Sequence, residues 1–208
     1  MEAVRLKAVN GKGPQGTNPH DKTPHDKTPR SSPGQALEIW AFDEHRLGLK
    51  PVIRRVWAKK GQRPVALSSH KYEWLYLYAF VRPATGEVVW WIANTVNVAL
   101  FQSILDAFAK ERSLAEDKPA VLLLDNAGWH HGKDLKLPDG LNPCYLPAYT
   151  PELQPAERLW TLTDEPIANK AFDSLEDLAE VLAERCCDLS IQPQRIKAHS
   201  KFSWWPAE

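Results

Sequence analysis

The sequence predicts an α/β fold with a mixed sheet, antiparallel at its start and parallel in its continuation, flanked by helices. Runs of β-branched and aromatic residues dominate the region between residues 36 and 93. Apolar residues then recur at helical spacing from residue 100. A short, continuous apolar run follows at 120–124, and such a run is typical of a strand buried on both faces.

Four strands are predicted before the first helix, because turn residues separate four apolar runs. The first run ends at Asp43, Gly61 and Pro64 break the second from the third, and a Thr-Gly turn precedes the fourth. The predicted strands are residues 36–42, 52–57, 72–81 and 87–93.

The second half of the sequence predicts helices alternating with two further strands. Asn97 is placed to cap a helix that carries Leu100, Phe101, Ile104, Leu105 and Phe108 on one stripe. Strands are expected at 120–124 and 141–146, a helix near Pro155, and a last helix from Ser174, with Asp177 three residues on.

Composition excludes some classes of protein but does not indicate a particular function. Lys plus Arg (26) equals Asp plus Glu (26), so the net charge gives no hint of a nucleic-acid partner and any such argument must be local. Three cysteines, two of them adjacent, indicate no disulfide framework. No apolar run could span a bilayer, and the N-terminus lacks a secretory signal. We therefore expect a soluble cytoplasmic protein, associated with the nucleoid if it binds DNA.

Residues 1–34 differ from the rest, since they are rich in Gly, Pro, Ser and Thr and repeat the unit His-Asp-Lys-Thr-Pro in tandem. We interpret them as a disordered leader in preference to a dedicated binding tail. Residues 35–190 form the predicted folded domain, and 191–208 form a C-terminal tail whose Trp pair docks either on the core or on a partner.

Two aspartates, Asp43 and Asp125, directly follow predicted strands. If those strands are neighbours, the carboxylates converge where ligands gather in parallel sheets. Two such charges about 4 Å apart repel by roughly 4 kcal/mol at an effective dielectric of 20, so they share a proton or bind a cation. Oxygen ligands favour Mg²⁺ or Mn²⁺. Each Asp has a purely structural alternative as a turn residue, and Glu157 has one as a helix-start carboxylate.

The segments around these acids resemble a known family. Residues 125–130 read Asp-Asn-Ala-Gly-Trp-His, and residues 151–160 read Pro-Glu-Leu-Gln-Pro-Ala-Glu-Arg-Leu-Trp. Together with the Asp-Glu pair at 43–44, these blocks resemble the DDE endonuclease domain of mariner-type transposases, in particular their bacterial insertion-sequence branch. The resemblance runs from about residue 37 to 182.

The resemblance implies a ribonuclease-H-like fold in which Asp43, Asp125 and Glu157 hold two divalent metal ions, Mg²⁺ or Mn²⁺. It implies in-line attack on DNA phosphodiesters at transposon ends and target, a homodimer, and a role for His130 in placing substrate. The sequence departs from the family at Gln154, where Asn is usual, and after Trp160, where an acidic segment with Pro166 replaces a basic residue. We expect that proline to end the helix that carries Glu157.

A basic segment offers a surface for DNA. Residues 50–63 hold six cations and no acidic residue, with a Trp among them. A solvated strand edge guarded by cations would look similar. The candidate phosphate contacts are Lys50, Arg54, Arg55, Lys59, Lys60 and Arg63.

Three functions remain open at this point. The first is the catalytic domain of a DNA transposase, whose helix-turn-helix portion we expect to be encoded separately. The second is a decayed remnant or a non-catalytic DNA-bound protein on the same fold. The third is another ribonuclease-H-like nuclease, such as an integrase or a resolvase.

Overall fold

A computed structural model describes residues 37–65 and 71–206 of the 208-residue chain. The leader predicted for residues 1–34 lies outside the described residues. In chain order, three strands come first, and helices and two further strands follow. None of the helices in the described part of the chain is both long and apolar enough to cross a membrane.

The sheet is mixed, as predicted, and its strands lie in the order β3-β2-β1-β4-β5. The first three pair antiparallel, and β4 and β5 continue the sheet parallel to β1. The strands are β1 (Glu38–Gly48), β2 (Trp74–Arg82), β3 (Glu87–Ala93), β4 (Ala120–Leu124) and β5 (Leu141–Tyr145).

Strand β1 does not end at Asp43, and that part of the prediction was wrong. The strand continues to Gly48 because β2 pairs with its whole second half, down to the partners Gly48 and Trp74. On its other edge, however, the parallel ladder with β4 ends at Ala41 and Leu123. Asp43 therefore lies beyond the parallel ladder although it is still within the strand.

The second predicted strand, 52–57, does not form. Residues 50–65, which we call the basic arm, make no strand with any described residue and are reversed by a turn in which the Gln62 N–H donates to the Lys59 carbonyl. Ile53, Val56 and Trp57 supply the apolar pattern that suggested a strand, yet all three are exposed. A pattern of apolar residues does not form a strand without a neighbouring strand to pack against.

Two sequence-predicted helix starts are confirmed. The Asn97 side chain accepts from Leu100 N–H at the start of α1 (Val98–Arg112), and Ser174 and Asp177 form a capping box at the start of α3 (Leu175–Ser190). The predicted helix near Pro155 is shorter than expected. It consists of a 3₁₀ turn, Ala156–Leu159, and the single turn α2 (Trp160–Thr163), and it ends before Pro166 as expected.

Helices cover both faces of the sheet. Helix α1 packs Phe101, Leu105 and Phe108 on the face that carries Trp40 and Phe42. The opposite face is covered by α3 and by α4 (Pro193–Ser200), a helix the sequence analysis did not predict. Ile196 and Trp205 are buried there, so residues that we had assigned to a tail belong to the core, whereas Trp204 is half exposed.

Candidate active site

An open cleft of about 340 Å³ lies between the loops that follow β4 and β5 and the turns that follow residue 150. Asp43, Asp125 and Glu157 all line it, although they lie far apart in the sequence. Strands β1 and β4 are parallel neighbours, and their last pair lies two residues before each aspartate. The topology of the sheet therefore brings these carboxylates to one edge.

Asp43 is buried, with 8% of its surface exposed. The Trp160 indole N–H donates to its Oδ2 at 3.0 Å. Burial, together with the negative charges of Glu44 and Glu157, raises the pKa of Asp43 well above its ordinary value, against the lowering effect of the Trp160 hydrogen bond. This carboxylate is therefore poised to take a proton or a cation.

The surroundings of Asp125 lower its pKa, in contrast to those of Asp43. His130 Nδ1 lies 2.7 Å from its Oδ1, and the Ala127 N–H donates to the same oxygen at 3.1 Å. The hydrogen bond from His130 is the largest cause that lowers the pKa of Asp125, and it outweighs partial burial. Asp125 is thus held in its ionised form.

The His130 ring lies between two carboxylates. Its Nε2 is 3.6 Å from Glu44 Oε2, which is longer than a hydrogen bond and leaves an electrostatic contact. Burial against Phe42 and Phe101 alone would lower the pKa of His130, but Asp125 and Glu44 raise it to about 9. The side chain is therefore a buried imidazolium at neutral pH.

Glu157 is exposed on the 3₁₀ turn 156–159. Partial burial and the charge of Asp125 raise its pKa, whereas His45 lowers it. The turn is tied to β1 by Gln154, whose buried side chain donates from Nε2 to the Phe42 carbonyl at 2.9 Å. Gln154 thus connects the Glu157 turn to the residue that precedes Asp43, and its Oε1 also accepts from the Ala156 N–H, at the longer distance of 3.5 Å.

The three carboxylates do not form a closed ligand set. Among the described residues, no group of three or more His, Cys, Asp or Glu side chains is assembled to hold a metal ion. Asp43 and Asp125 each have one carboxylate oxygen engaged by a neighbouring side chain, and Glu157 lines the same cleft from the 156–159 turn. In their chemistry the three fit a hard divalent cation, since all the donors are carboxylate oxygens.

The family model of the DDE superfamily endonucleases matches residues 38–179, and so contains the cleft and all three acids. The chain belongs to this family. The resemblance predicted from residues 125–130 and 151–160 is thereby confirmed.

Two relatives of this DDE domain are bacterial proteins. An uncharacterised protein of Sinorhizobium fredii, y4pE/y4sA, is 30% identical over 132 residues, which cover 63% of this chain and 96% of that protein. An uncharacterised 39 kDa protein of the insertion element IS630 from Shigella sonnei is 28% identical over 129 residues, which cover 60% of this chain. This chain spans 37% of the length of the insertion-element protein.

Solved structures of Mos1, a mariner transposase, share the fold. A pre-cleavage Mos1 transpososome superposes with a TM-score of 0.52 at 18% identity, and a Mos1 mariner paired-end complex with Mn superposes with 0.51 at 20% identity. Each alignment covers 79% of this chain and 56% of the Mos1 chain. The predicted ribonuclease-H-like fold is confirmed.

The basic residues of the arm are placed differently from one another. Arg54 turns back onto the domain, where its guanidinium bonds the Asp164 carboxylate at 3.2 Å and the Thr161 carbonyl at 3.1 Å. The remaining five cations predicted to contact phosphate are exposed on the arm: Lys50, Arg55, Lys59, Lys60 and Arg63.

Sequence reasoning missed several residues that contact the three cleft carboxylates or the side chains next to them. Glu44 and His45 were passed over, although strand alternation sends Asp43 and His45 to one face and Glu44 to the other. Gln154 was considered only as a weak cap, and Asp164 only as an acidic departure from the family. Their partners lie more than 80 positions away in the sequence, so no local signal identified them.

Proposed function

We propose that this chain is the catalytic domain of a DNA transposase that cuts and rejoins DNA phosphodiesters with a divalent cation, Mg²⁺ or Mn²⁺. The observation that carries the proposal is the convergence of Asp43, Asp125 and Glu157, from three separate parts of the chain, on one open cleft. Asp43 and Asp125 would act as ligands from the sheet edge, and Glu157 from the facing turn.

A cation fits the electrostatics of the cleft. Burial and two neighbouring carboxylates leave Asp43 with uncompensated negative charge, which its raised pKa reflects. Asp125 is kept ionised by His130 and so offers its free oxygen at neutral pH. A metal bound here would supply activation of water or a DNA 3′-hydroxyl and stabilisation of the leaving oxygen. A Mos1 complex that shares the fold has been solved with Mn, which supports the choice of cation.

The protein's own groups would set the geometry of the reaction. Trp160 orients the Asp43 carboxylate, His130 orients Asp125, and Gln154 holds the Glu157 turn against β1. Each of these supporting groups is buried, so the two aspartates and the Glu157 turn are held by residues that substrate does not displace. Such fixed support is what positioning a phosphodiester for in-line attack requires.

We propose the basic arm as the DNA-contacting surface. Its five exposed cations lie on a protein of zero net charge, and Trp57 among them is fully exposed. Exposed cations attract phosphates, and an exposed indole can stack on a base. Arg54 would instead anchor the arm, since its guanidinium is engaged by Asp164.

We further propose transposon ends and target DNA as partners, together with a separately encoded helix-turn-helix portion and a second copy of this chain. The Mos1 structure that shares the fold is a paired-end complex, which supports transposon ends as the DNA partner. The chain spans part of the length of its insertion-element relative, which leaves room in that protein for a module that reads DNA ends.

The proposal is tested by Mn²⁺ titration and by Mn²⁺-dependent nicking of a supercoiled plasmid. We expect Glu157→Gln and Asp125→Asn to abolish nicking, whereas Asp134→Asn, an exposed aspartate outside the cleft, retains it. Glu157→Gln is the sharper variant, because Asp125 also stabilises buried His130. A wild-type chain that folds yet binds neither Mn²⁺ nor Mg²⁺ would leave the non-catalytic remnant as the function. Hydrolysis of RNA–DNA hybrids or junctions without strand joining would favour another nuclease.

A further inference from the structure

Asp164 lies at the end of α2, outside the cleft, and is 7% exposed. Each of its two carboxylate oxygens contacts a different basic side chain. Oδ1 lies 2.9 Å from His45 Nε2, and Oδ2 accepts from the Arg54 guanidinium at 3.2 Å. One buried carboxylate therefore connects β1 to the basic arm.

On the arm side, the root of the arm is held at several points. Arg54 donates twice to the Thr161 carbonyl in addition to its bond with Asp164. Asn169, in the left-handed conformation with φ 60°, accepts from Arg54 N–H and donates to the Arg54 carbonyl through its side chain. Its own backbone N–H donates to the Val52 carbonyl. Residues 52–54 are thus fixed, whereas the following residues 55–65 are exposed.

On the cleft side, two side chains, His45 and Trp160, connect Asp164 to Asp43. The His45 ring stacks on the Trp160 indole, with ring centroids 4.9 Å apart and planes at 13°. The same indole donates its N–H to Asp43 Oδ2. Asp164 fixes one nitrogen of the ring that lies flat on the Trp160 indole, so its carboxylate contributes, together with the core packing of Trp160, to where the indole N–H points.

We infer that Asp164 is a positioning residue that joins the root of the basic arm to the Asp43 carboxylate. The arm's position and the orientation of Asp43 depend on the same side chain. This junction acquires its functional meaning from the proposed function, since it ties the DNA-contacting surface to the reacting edge of the sheet.

The junction is tested first without DNA or metal, by hydrogen exchange of the full chain. The probes are the Trp160 indole N–H, assigned with Trp160→Phe, and the Arg54 backbone N–H. Asp164→Asn removes the negative charge that both basic side chains face and replaces one carboxylate oxygen with an amide group. We expect both probes to exchange faster, on the order of tenfold, with slow amides in β2 and β3 unchanged.

Two further variants test the contact of Asp164 with His45 and its contact with Arg54 separately, and a third serves as a control. His45→Phe keeps a ring on Trp160 but loses the bond to Asp164, and should speed exchange at the indole. Arg54→Gln should speed exchange at the Arg54 amide, where the arm is fixed. Asp188→Asn, an exposed aspartate on α3, is the matched control and should change neither. The inference is overturned if Asp164→Asn leaves either probe unchanged, or if it speeds the β2 and β3 amides by the same factor.

Function is read separately. In Asp164→Asn we expect weaker Mn²⁺ binding in the absence of DNA and weaker DNA binding in the absence of metal, each on the order of tenfold. If the wild-type chain binds neither Mn²⁺ nor DNA, the proposed function fails, and the exchange experiment still decides whether Asp164 joins the arm to Asp43.

Discussion

The Trp160 indole donates a hydrogen bond of 3.0 Å to Asp43 Oδ2, and these residues lie 117 positions apart in the chain. The bond is buried and joins the middle of β1 to the short helix that follows the Glu157 turn. It lowers the pKa of Asp43, which burial and two neighbouring carboxylates raise. Trp160 therefore stabilises the ionised form of the most buried of the three acids.

Trp160→Phe removes this donor while keeping an aromatic ring for His45 to stack on. We expect the pKa of Asp43 to rise further, Mn²⁺ affinity to fall about tenfold, and the free energy of unfolding to fall by about 1–3 kcal/mol. Mn²⁺ titration and urea denaturation measure both effects. Trp204→Phe is the matched control, since Trp204 is half exposed and lies outside the cleft. Equal Mn²⁺ affinity in the two variants would contradict the role given to Trp160.

His130 gives the fold a pH dependence. Its pKa is about 9 in the folded chain, above the ordinary value of 6.5, because Asp125 and Glu44 outweigh burial. A group whose folded pKa is raised stabilises fully below its unfolded pKa, and the contribution disappears as pH rises to the folded pKa. The stabilisation by His130 should therefore be complete at pH 6 and decline between pH 6.5 and 9, by up to about 1.4 kcal/mol per pH unit.

The measurement compares urea denaturation of the wild-type chain and His130→Asn from pH 6 to 9. We expect the difference in free energy of unfolding to be largest at pH 6 and to shrink toward pH 9. Because the two chains share every other titrating group, including the buried thiol of Cys186, the difference isolates His130. A difference that stays constant across this range would show that His130 is not charged in the folded state.

Much of the fold was predictable from local patterns. The buried run at 120–124, the Asn97 cap and the Ser174–Asp177 capping box depend on neighbouring residues, and all three are confirmed. The strand predicted at 52–57 depends on a partner strand that the segment lacks among the described residues. Helix α4 has a weak apolar face, because Ile196 is its one buried apolar residue, so its periodicity gave no signal.

In the candidate site, too, the residues in local motifs were predictable and those in long-range contacts were not. Sequence motifs identified Asp43, Asp125 and Glu157, and all three line the cleft. The partners that hold them were not identified, because Trp160 and Gln154 reach β1 through hydrogen bonds between residues 117 and 112 positions apart in the sequence. For Arg54 the local pattern was misleading. The basic composition of the segment predicted a phosphate contact, whereas in the structure the Arg54 guanidinium is paired with the Asp164 carboxylate.

Charge removal on the arm tests the DNA surface. We expect the double variant Arg55→Gln, Lys59→Gln to weaken DNA binding and to reduce the slope of log affinity against log salt by up to about 2, since each phosphate that is no longer neutralised lowers the slope by about 1. Binding of a labelled duplex at several salt concentrations measures the slope. Lys110→Gln, an exposed lysine on α1, is the control with an expected unchanged slope. An unchanged slope in the double variant would remove the arm from the DNA interface.

Gln154 should be required for the placement of Glu157. In Gln154→Ala the Phe42 carbonyl loses the amide that donates to it, and the 156–159 turn loses its side-chain tie to β1. We expect the free energy of unfolding to fall by about 1–3 kcal/mol and Mn²⁺-dependent nicking to fall more than the unfolded fraction explains. Gln154→Asn keeps the amide group but shortens the side chain by one methylene. It therefore tests whether the length of the side chain is needed to hold the turn in the same position. Gln194→Ala, on the exposed surface of α4, is the control. Full nicking activity in Gln154→Asn would mean that the turn is held by the packing of Ala156 and Leu159 alone.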